Sequence, residues 1–247
     1  MSSKIGVNLT RNYSINFDLP KRKKNSIKFI VIHYTGMKRE SDAIKKLCES
    51  NSKVSSHYFI KNNGELLNLV PDLYNAWHAG KSSWKKFKSL NKYSIGIEIN
   101  NPGHEFKYKK YSSKQILSLI ELLKKLKKKY KIKKQNILGH SDISPDRKKD
   151  PGEKFPWNKL AKKKLCKWHN LPVNKIKIYR NLKLDINNET TFFNNLYEIG
   201  YSKIIGAKYK SKKINLIKAF QRRYRQSLIN GKIDKECLLI SQNLLKN

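Results

Sequence analysis

The chain has 247 residues, room for one large domain or two small ones, and a hydrophobic fraction of 38%, enough for a core. Its 55 Lys and Arg against 18 Asp and Glu give a formal charge of +37, a field that draws polyanions, although A- and T-rich coding would enrich Lys, Asn and Ile with no ligand in view. Three widely spaced cysteines, Cys48, Cys166 and Cys237, argue against a disulfide framework or a Cys-type zinc cluster, and no run nears the roughly 20 apolar residues of a membrane span.

Residues 1–25 are polar and end in Lys21-Arg22-Lys23-Lys24, which reads as an arm. They hold no apolar core for a signal peptide. Ile27 to Ile32 is short and β-branched, the pattern of a buried strand. Ser41 to Ser50 fits a short helix through Ala43, Ile44 and Leu47. Ser56–Ile60 and Glu65–Val70 flank Asn62-Asn63-Gly64, the composition of a tight hairpin. Tyr93 to Ile99 alternates through Ile95, Ile97 and Ile99, another strand. Ser112 to Tyr130 is the clearest helix, with Ser112 and Gln115 spaced as a capping box and Ile116, Leu119, Ile120, Leu123 and Leu126 on one face. A strand over Ile132–Leu138 follows. Strands and helices alternate, so the expected fold is a mixed α/β domain over 26–172, a central sheet flanked by helices. Residues 173–188 read as a linker. Helical patterns over about 190–199, 213–227 and 234–245 make a small all-α unit within 189–247, with Asp234 placed to cap the last helix.

Three residues stand out by type and position. His33 follows the first apolar run, His140 follows Ile137-Leu138-Gly139, and Asp150 opens an Asp-Pro-Gly turn. Two imidazoles and a carboxylate suit a zinc ion with an open fourth position. Taken singly, each is more often structural, a satisfied histidine or a turn aspartate. Glu98 sits among Ile95, Ile97 and Ile99, where a carboxylate costs free energy unless it has a task. His57 reads as a core or supporting residue. His104 and His169 carry no assigned role.

The segment Gly139-His140-Ser141-Asp142-Ile143-Ser144-Pro145-Asp146-Arg147-Lys148-Lys149-Asp150-Pro151-Gly152 is far more specific. With Val31-Ile32-His33-Tyr34-Thr35, Val54-Ser55-Ser56-His57-Tyr58, Ala76-Trp77-His78-Ala79-Gly80, Ser94-Ile95-Gly96-Ile97-Glu98 and Phe155-Pro156-Trp157, in that order, it resembles the zinc-dependent N-acetylmuramoyl-L-alanine amidases of the AmpD/AmiD type over about residues 27–170. The resemblance implies zinc held by His33, His140 and Asp150, with Glu98 and Lys148 as catalytic residues. Tyr34, Trp77 and His78 are candidate substrate contacts. The implied substrate is peptidoglycan or a muropeptide fragment, cut between the lactyl group of N-acetylmuramic acid and L-Ala.

Ala219-Phe220-Gln221-Arg222-Arg223-Tyr224-Arg225 followed by Asn230-Gly231-Lys232-Ile233-Asp234 resembles a peptidoglycan-binding helical domain. Two other readings stay open there: a helical hairpin packed on the catalytic domain, and a basic patch for nucleic acid, for which stacking aromatics beyond Tyr224 are missing. A non-catalytic peptidoglycan-recognition module is the alternative for the whole chain. No specific nucleic-acid partner is expected, and a monomer is. The absent signal-peptide core favours the cytoplasm, whereas a wall-binding unit favours the envelope.

Overall fold

The computed structural model describes residues 12–206 and 209–246. In chain order the elements are β1 (Phe17–Asp18), β2 (Phe29–Tyr34), α1 (Glu40–Cys48), β3 (Tyr58–Ile60), β4 (Leu66–Asn68), β5 (Asn75–Ala76), β6 (Ser83–Trp84), β7 (Phe87–Lys88) and β8 (Ser94–Ile99), then α2 (Ser113–Tyr130), β9 (Ile137–Gly139), α3 (His140–Ile143), α4 (Trp157–Lys162), α5 (Val173–Ile176), α6 (Ile186–Ile199), α7 (Tyr209–Tyr224) and α8 (Lys235–Lys246). Five strands form the main sheet in the order β4-β3-β8-β2-β9. β3, β8, β2 and β9 run parallel, and β4 is the antiparallel edge formed by the Asn62-Asn63-Gly64 hairpin. This is the expected mixed sheet flanked by helices.

Strand alternation divides the sheet into two faces. Ile30 and Ile32 of β2 and Ile95, Ile97 and Ile99 of β8 pack with Ile116, Leu119, Ile120, Leu123 and Leu126 of α2. The capping box of α2 is formed: Gln115 N donates to Ser112 Oγ at 3.1 Å and Ser112 N to Gln115 Oε1 at 3.0 Å. On the opposite face, α1 covers Phe59, Leu67 and Leu69 near the β4 edge. Phe29, Val31 and Leu138, toward the β9 edge, share one core with Phe192, Leu196, Phe220 and Tyr224 of the C-terminal helices. His33 continues the Phe29–Val31 face, so it emerges between these two coverings.

The C-terminal helices therefore pack on the main sheet. Arg223 and Arg225 are 2% and 3% exposed, so they form no surface patch for nucleic acid. Arg225 pairs with Asp234 and Arg180 with Glu236. Asp234 caps α8, its Oδ1 accepting from Cys237 N at 3.0 Å. Within 173–188 lies α5, with Ile176 buried, and Asp185 caps α6, its Oδ1 accepting from Asn188 N at 2.7 Å. That cap explains why α6 begins four residues before the apolar pattern does.

Part of the N-terminal arm, residues 1–11, lies outside the described residues. From residue 12 onward the arm is tied to the domain: β1 pairs with β5, and Arg22 donates to the carbonyls of Asp72 and Asn91. Among the described residues no helix is long and apolar enough to cross a membrane.

Phe220 is fully buried where the C-terminal helices meet the sheet. Phe220→Ala should destabilise the protein by about 3–5 kcal/mol. Because the core is shared, denaturant unfolding of that variant followed by far- and near-UV circular dichroism should remain one transition; two separated transitions would show that the units unfold independently.

Candidate metal centre

The site lies at the carboxyl ends of the parallel strands, where open α/β sheets place their ligands. His33 and Glu98 are register partners on β2 and β8. Both side chains therefore stand on one face, next to each other. β9 ends at Gly139, and the chain turns directly into α3, whose first residue is His140. A Cβ on Gly139 would come within 2.7 Å of Pro151 Cδ, so glycine is what lets the Asp150 turn close onto this bend. Ser141 N donates to Asp150 O at 2.9 Å. The turn is tied down further by Tyr108 and Tyr111, whose hydroxyls both donate to Pro151 O at 2.6 and 2.7 Å. Gly152 has φ +80° against the Tyr108 ring, a position closed to other residues.

These constraints bring three ligand atoms together. His33 Nδ1 lies 2.9 Å from His140 Nδ1, and each is 3.1 Å from Asp150 Oδ2. All three residues are buried. Two ligands on one tetrahedral zinc stand about 3.3 Å apart, close to these separations.

The outer hydrogen bonds settle which nitrogens carry protons. The Ser94 hydroxyl donates to Leu90 O at 2.6 Å, so its oxygen accepts from His78 Nε2–H at 3.2 Å. His78 Nδ1 is then bare and accepts from His33 Nε2–H at 3.0 Å. His140 Nε2–H donates to Ala79 O at 3.1 Å. The inward Nδ1 of each ring is left with a lone pair. Two lone pairs and a carboxylate oxygen converge with no hydrogen between them, a donor set that a cation satisfies. Burial lowers the His33 pKa to about 4, helped by neighbouring His140, and pushes His78 well below its usual value, so both rings are neutral at pH 7.

Glu98 shares its face with Ser94 and Gly96, not with the isoleucines, as strand alternation on β8 requires. The residue keeps partial exposure, yet its Oε2 is sealed with no hydrogen-bond partner. Burial, and then the Asp150 charge, raise its pKa to about 8, against the opposing pull of Lys148. A cleft of about 330 Å³ opens over the cluster and is lined by Tyr34, Trp77, Glu98, Arg147, Lys148 and Lys149, among others.

The expected contact residues divide. Tyr34 and Trp77 face the cleft, and Trp77 Nε1 donates to Asp18 at 2.7 Å. His78 touches the cleft but spends both ring nitrogens behind His33. Gly96 makes room for it, since a Cβ there would lie 2.4 Å from the His78 ring. His57 is buried and accepts from Gly96 N at 2.9 Å. Two residues at the site had no role assigned from sequence: His104 links Tyr34 (2.8 Å) to Glu153 (3.0 Å) at the rim of the cleft, and Ser94 ends the hydrogen-bond chain from His33. Ser94 had a signal in its polar place on the alternating strand.

A mixed, largely parallel sheet carrying a buried His–His–Asp set at its carboxyl ends, with a carboxylate and a lysine in the cleft above, defines an α/β protein with the makings of a hydrolytic metal centre. The chain belongs to the N-acetylmuramoyl-L-alanine amidase family, whose description matches residues 23–153. It is 33% identical over 232 residues to the N-acetylmuramoyl-L-alanine amidase AmiD of Escherichia coli K12, covering 89% of this chain and 83% of that protein. It is 39% identical over 108 residues to the 1,6-anhydro-N-acetylmuramyl-L-alanine amidase AmpD of Haemophilus influenzae, covering 43% of this chain and 56% of AmpD. Among solved structures, the E. coli AmiD complex with anhydro-N-acetylmuramic acid-L-Ala-D-gamma-Glu-L-Lys superposes with a TM-score of 0.79 at 32% identity, over 93% of this chain and 92% of that one. AmpDh3 of Pseudomonas aeruginosa gives 0.77 at 28% identity, over 99% and 98%.

The raised Glu98 pKa has a thermodynamic signature. Between about pH 4.5 and 8 the folded metal-free protein holds a proton on Glu98 that the unfolded chain has released. Stability therefore falls as pH rises through that window. Glu98→Gln removes the group, so the metal-free variant should gain on the wild type with rising pH, by on the order of 2–5 kcal/mol at pH 8. Denaturant unfolding at pH 5 and pH 8 checks this; a pH-independent difference would contradict it.

Proposed function

We propose that this chain is a zinc-dependent N-acetylmuramoyl-L-alanine amidase, hydrolysing the amide between the lactyl group of N-acetylmuramic acid and L-Ala. The observation that carries this reading is the convergence of His33 Nδ1, His140 Nδ1 and Asp150 Oδ2 in one buried cluster. When bound, zinc supplies Lewis acidity, which makes a water usable as a nucleophile near neutral pH and polarises a carbonyl. His33, His140 and Asp150 would hold it.

The chain's other residues do the rest. Glu98, which lines the cleft, takes the proton of the attacking water and delivers it to the leaving nitrogen. A carboxyl with its pKa near 8 is a poor base at pH 7. A cation held by His33, His140 and Asp150 would favour the ionised form of Glu98. Lys148 lies two residues before Asp150 and lines the cleft. Its ammonium stabilises the charge that develops on the amide oxygen.

The substrate reading rests on the relatives. AmiD and AmpDh3 have been solved with anhydromuramyl peptides, which supports anhydro-muropeptides as substrates here. Lys46, Arg147 and Lys149 at the cleft suit the carboxylates of a stem peptide.

Mass spectrometry of products from sacculi and from soluble anhydro-muropeptides, with and without chelator, tests the reading. Release of stem peptides that stops with chelator and resumes with zinc is expected. Tight binding of muropeptides without release would instead identify a recognition module. Glu98→Ala should retain about one zinc per chain by elemental analysis and lose at least about 100-fold in turnover. His140→Ala should lose the metal, and unchanged zinc content in that variant would remove His140 from the ligand set.

A further inference from the structure

The turn that carries His140 is not self-supporting. α3 is a single helical turn, His140–Ile143, too short to hold its own shape. Its shape comes from Asp142, two residues after His140. Asp142 Oδ2 accepts from Gly139 N at 2.7 Å, which closes the bend just ahead of His140. The other oxygen, Oδ1, accepts from the Tyr201 hydroxyl at 2.8 Å. Arg223 Nη1 lies 3.6 Å from Oδ2. Arg223 Nη2 donates to Ile137 O at 3.0 Å, on the strand that leads into the bend, and its guanidinium sits 3.3 Å from the centre of the Trp157 ring. Asp142, Tyr201 and Arg223 are each 2% exposed. The segment from Ile137 to Asp142 is thus gripped on both sides of His140 by residues of the C-terminal unit.

Arg223 is not placed there for good pairing alone. Its Nε and Nη1 have no hydrogen-bond partner, and a buried guanidinium with unmet donors costs folding free energy. Holding the His140 bend gives that cost a use. We infer that the C-terminal helical unit positions the metal ligand His140, with Tyr201 and Arg223 acting on it through Asp142. Tyr201 and Arg223 are positioning residues in this scheme; neither touches the cleft. The inference rests on His140 being a metal ligand. It gives the C-terminal unit a task at the catalytic centre, whatever it does at the cell wall.

The test measures zinc affinity of the full chain by competition with a chromophoric chelator, alongside the melting temperature. Tyr201→Phe removes one hydroxyl and keeps the ring against Trp84, at 4.9 Å between centroids. Arg223→Lys keeps the charge and loses the planar fork. Arg180→Gln is the control: it breaks the ion pair with Glu236 within the C-terminal unit and leaves Asp142 untouched. Tyr201→Phe and Arg223→Lys should weaken zinc binding by about 10-fold or more, the usual effect of losing a group that orients a ligand. Arg180→Gln should lower the melting temperature with zinc affinity unchanged. If Arg223→Lys does not fold, Tyr201→Phe decides alone. Unchanged affinity in Tyr201→Phe, or equal weakening in Arg180→Gln, overturns the proposal. A wild-type chain that takes up no zinc overturns the metal reading, and this proposal with it.

Discussion

Two backbone carbonyls set the direction of the metal centre. Leu90 O takes the Ser94 hydroxyl and Ala79 O takes the His140 Nε2–H, and through Ser94 and His78 the first of these fixes His33 as well. Each imidazole has one proton to place, and each outer acceptor claims it. Lone pairs must then face inward, toward Asp150. The arrangement needs space as well as polarity, and Gly96 supplies it by leaving room for the His78 ring on the strand beside His33. Tautomer, ring orientation and strand sequence are therefore one constraint.

That constraint would fail on a loose scaffold. The sheet supplies His33 and Glu98 as neighbours by register alone. The His140 and Asp150 segment has no such regular support. It is closed by Gly139 packing on Pro151, by the Tyr108 and Tyr111 hydroxyls on Pro151 O, and by Tyr201 and Arg223 from the C-terminal helices. The irregular half of the site thus draws on more distant parts of the chain than the regular half does.

Much of this was legible in the sequence because the signals were local. The capping box at Ser112, the hairpin glycine and the alternating isoleucines of β8 each specify structure within a few residues. The grouping of His33, His140 and Asp150 was legible through motif order, and the structure brings those three residues together. Less legible was anything that depended on pairing at a distance. β1 and β5 are two residues each and exist only because they meet. Residues 173–188 looked like a linker because their order comes from tertiary contacts, such as Arg180 on Glu236. Arg223 and Arg225 looked like surface because nothing nearby in sequence announces the carboxylates that pair with them inside. Glu98 was singled out for sitting among isoleucines, whereas its own face carries Ser94 and Gly96.

The buried carboxylates also bear on the outside of the molecule. Asp72, Asp142, Asp150, Asp234 and Glu236 are all inside, whereas among the described residues the only buried Lys or Arg side chains are Arg223 and Arg225. A chain with 18 acidic residues thus withdraws five of them from its surface. The outer layer is more one-sidedly positive than the composition alone conveys. Such a particle repels its own copies and is drawn to any polymer bearing carboxylates or phosphates, over a range set by the Debye length of about 8 Å at physiological salt. Ionic strength then governs how long the enzyme dwells near an anionic lattice, independently of how well the cleft fits any one muropeptide.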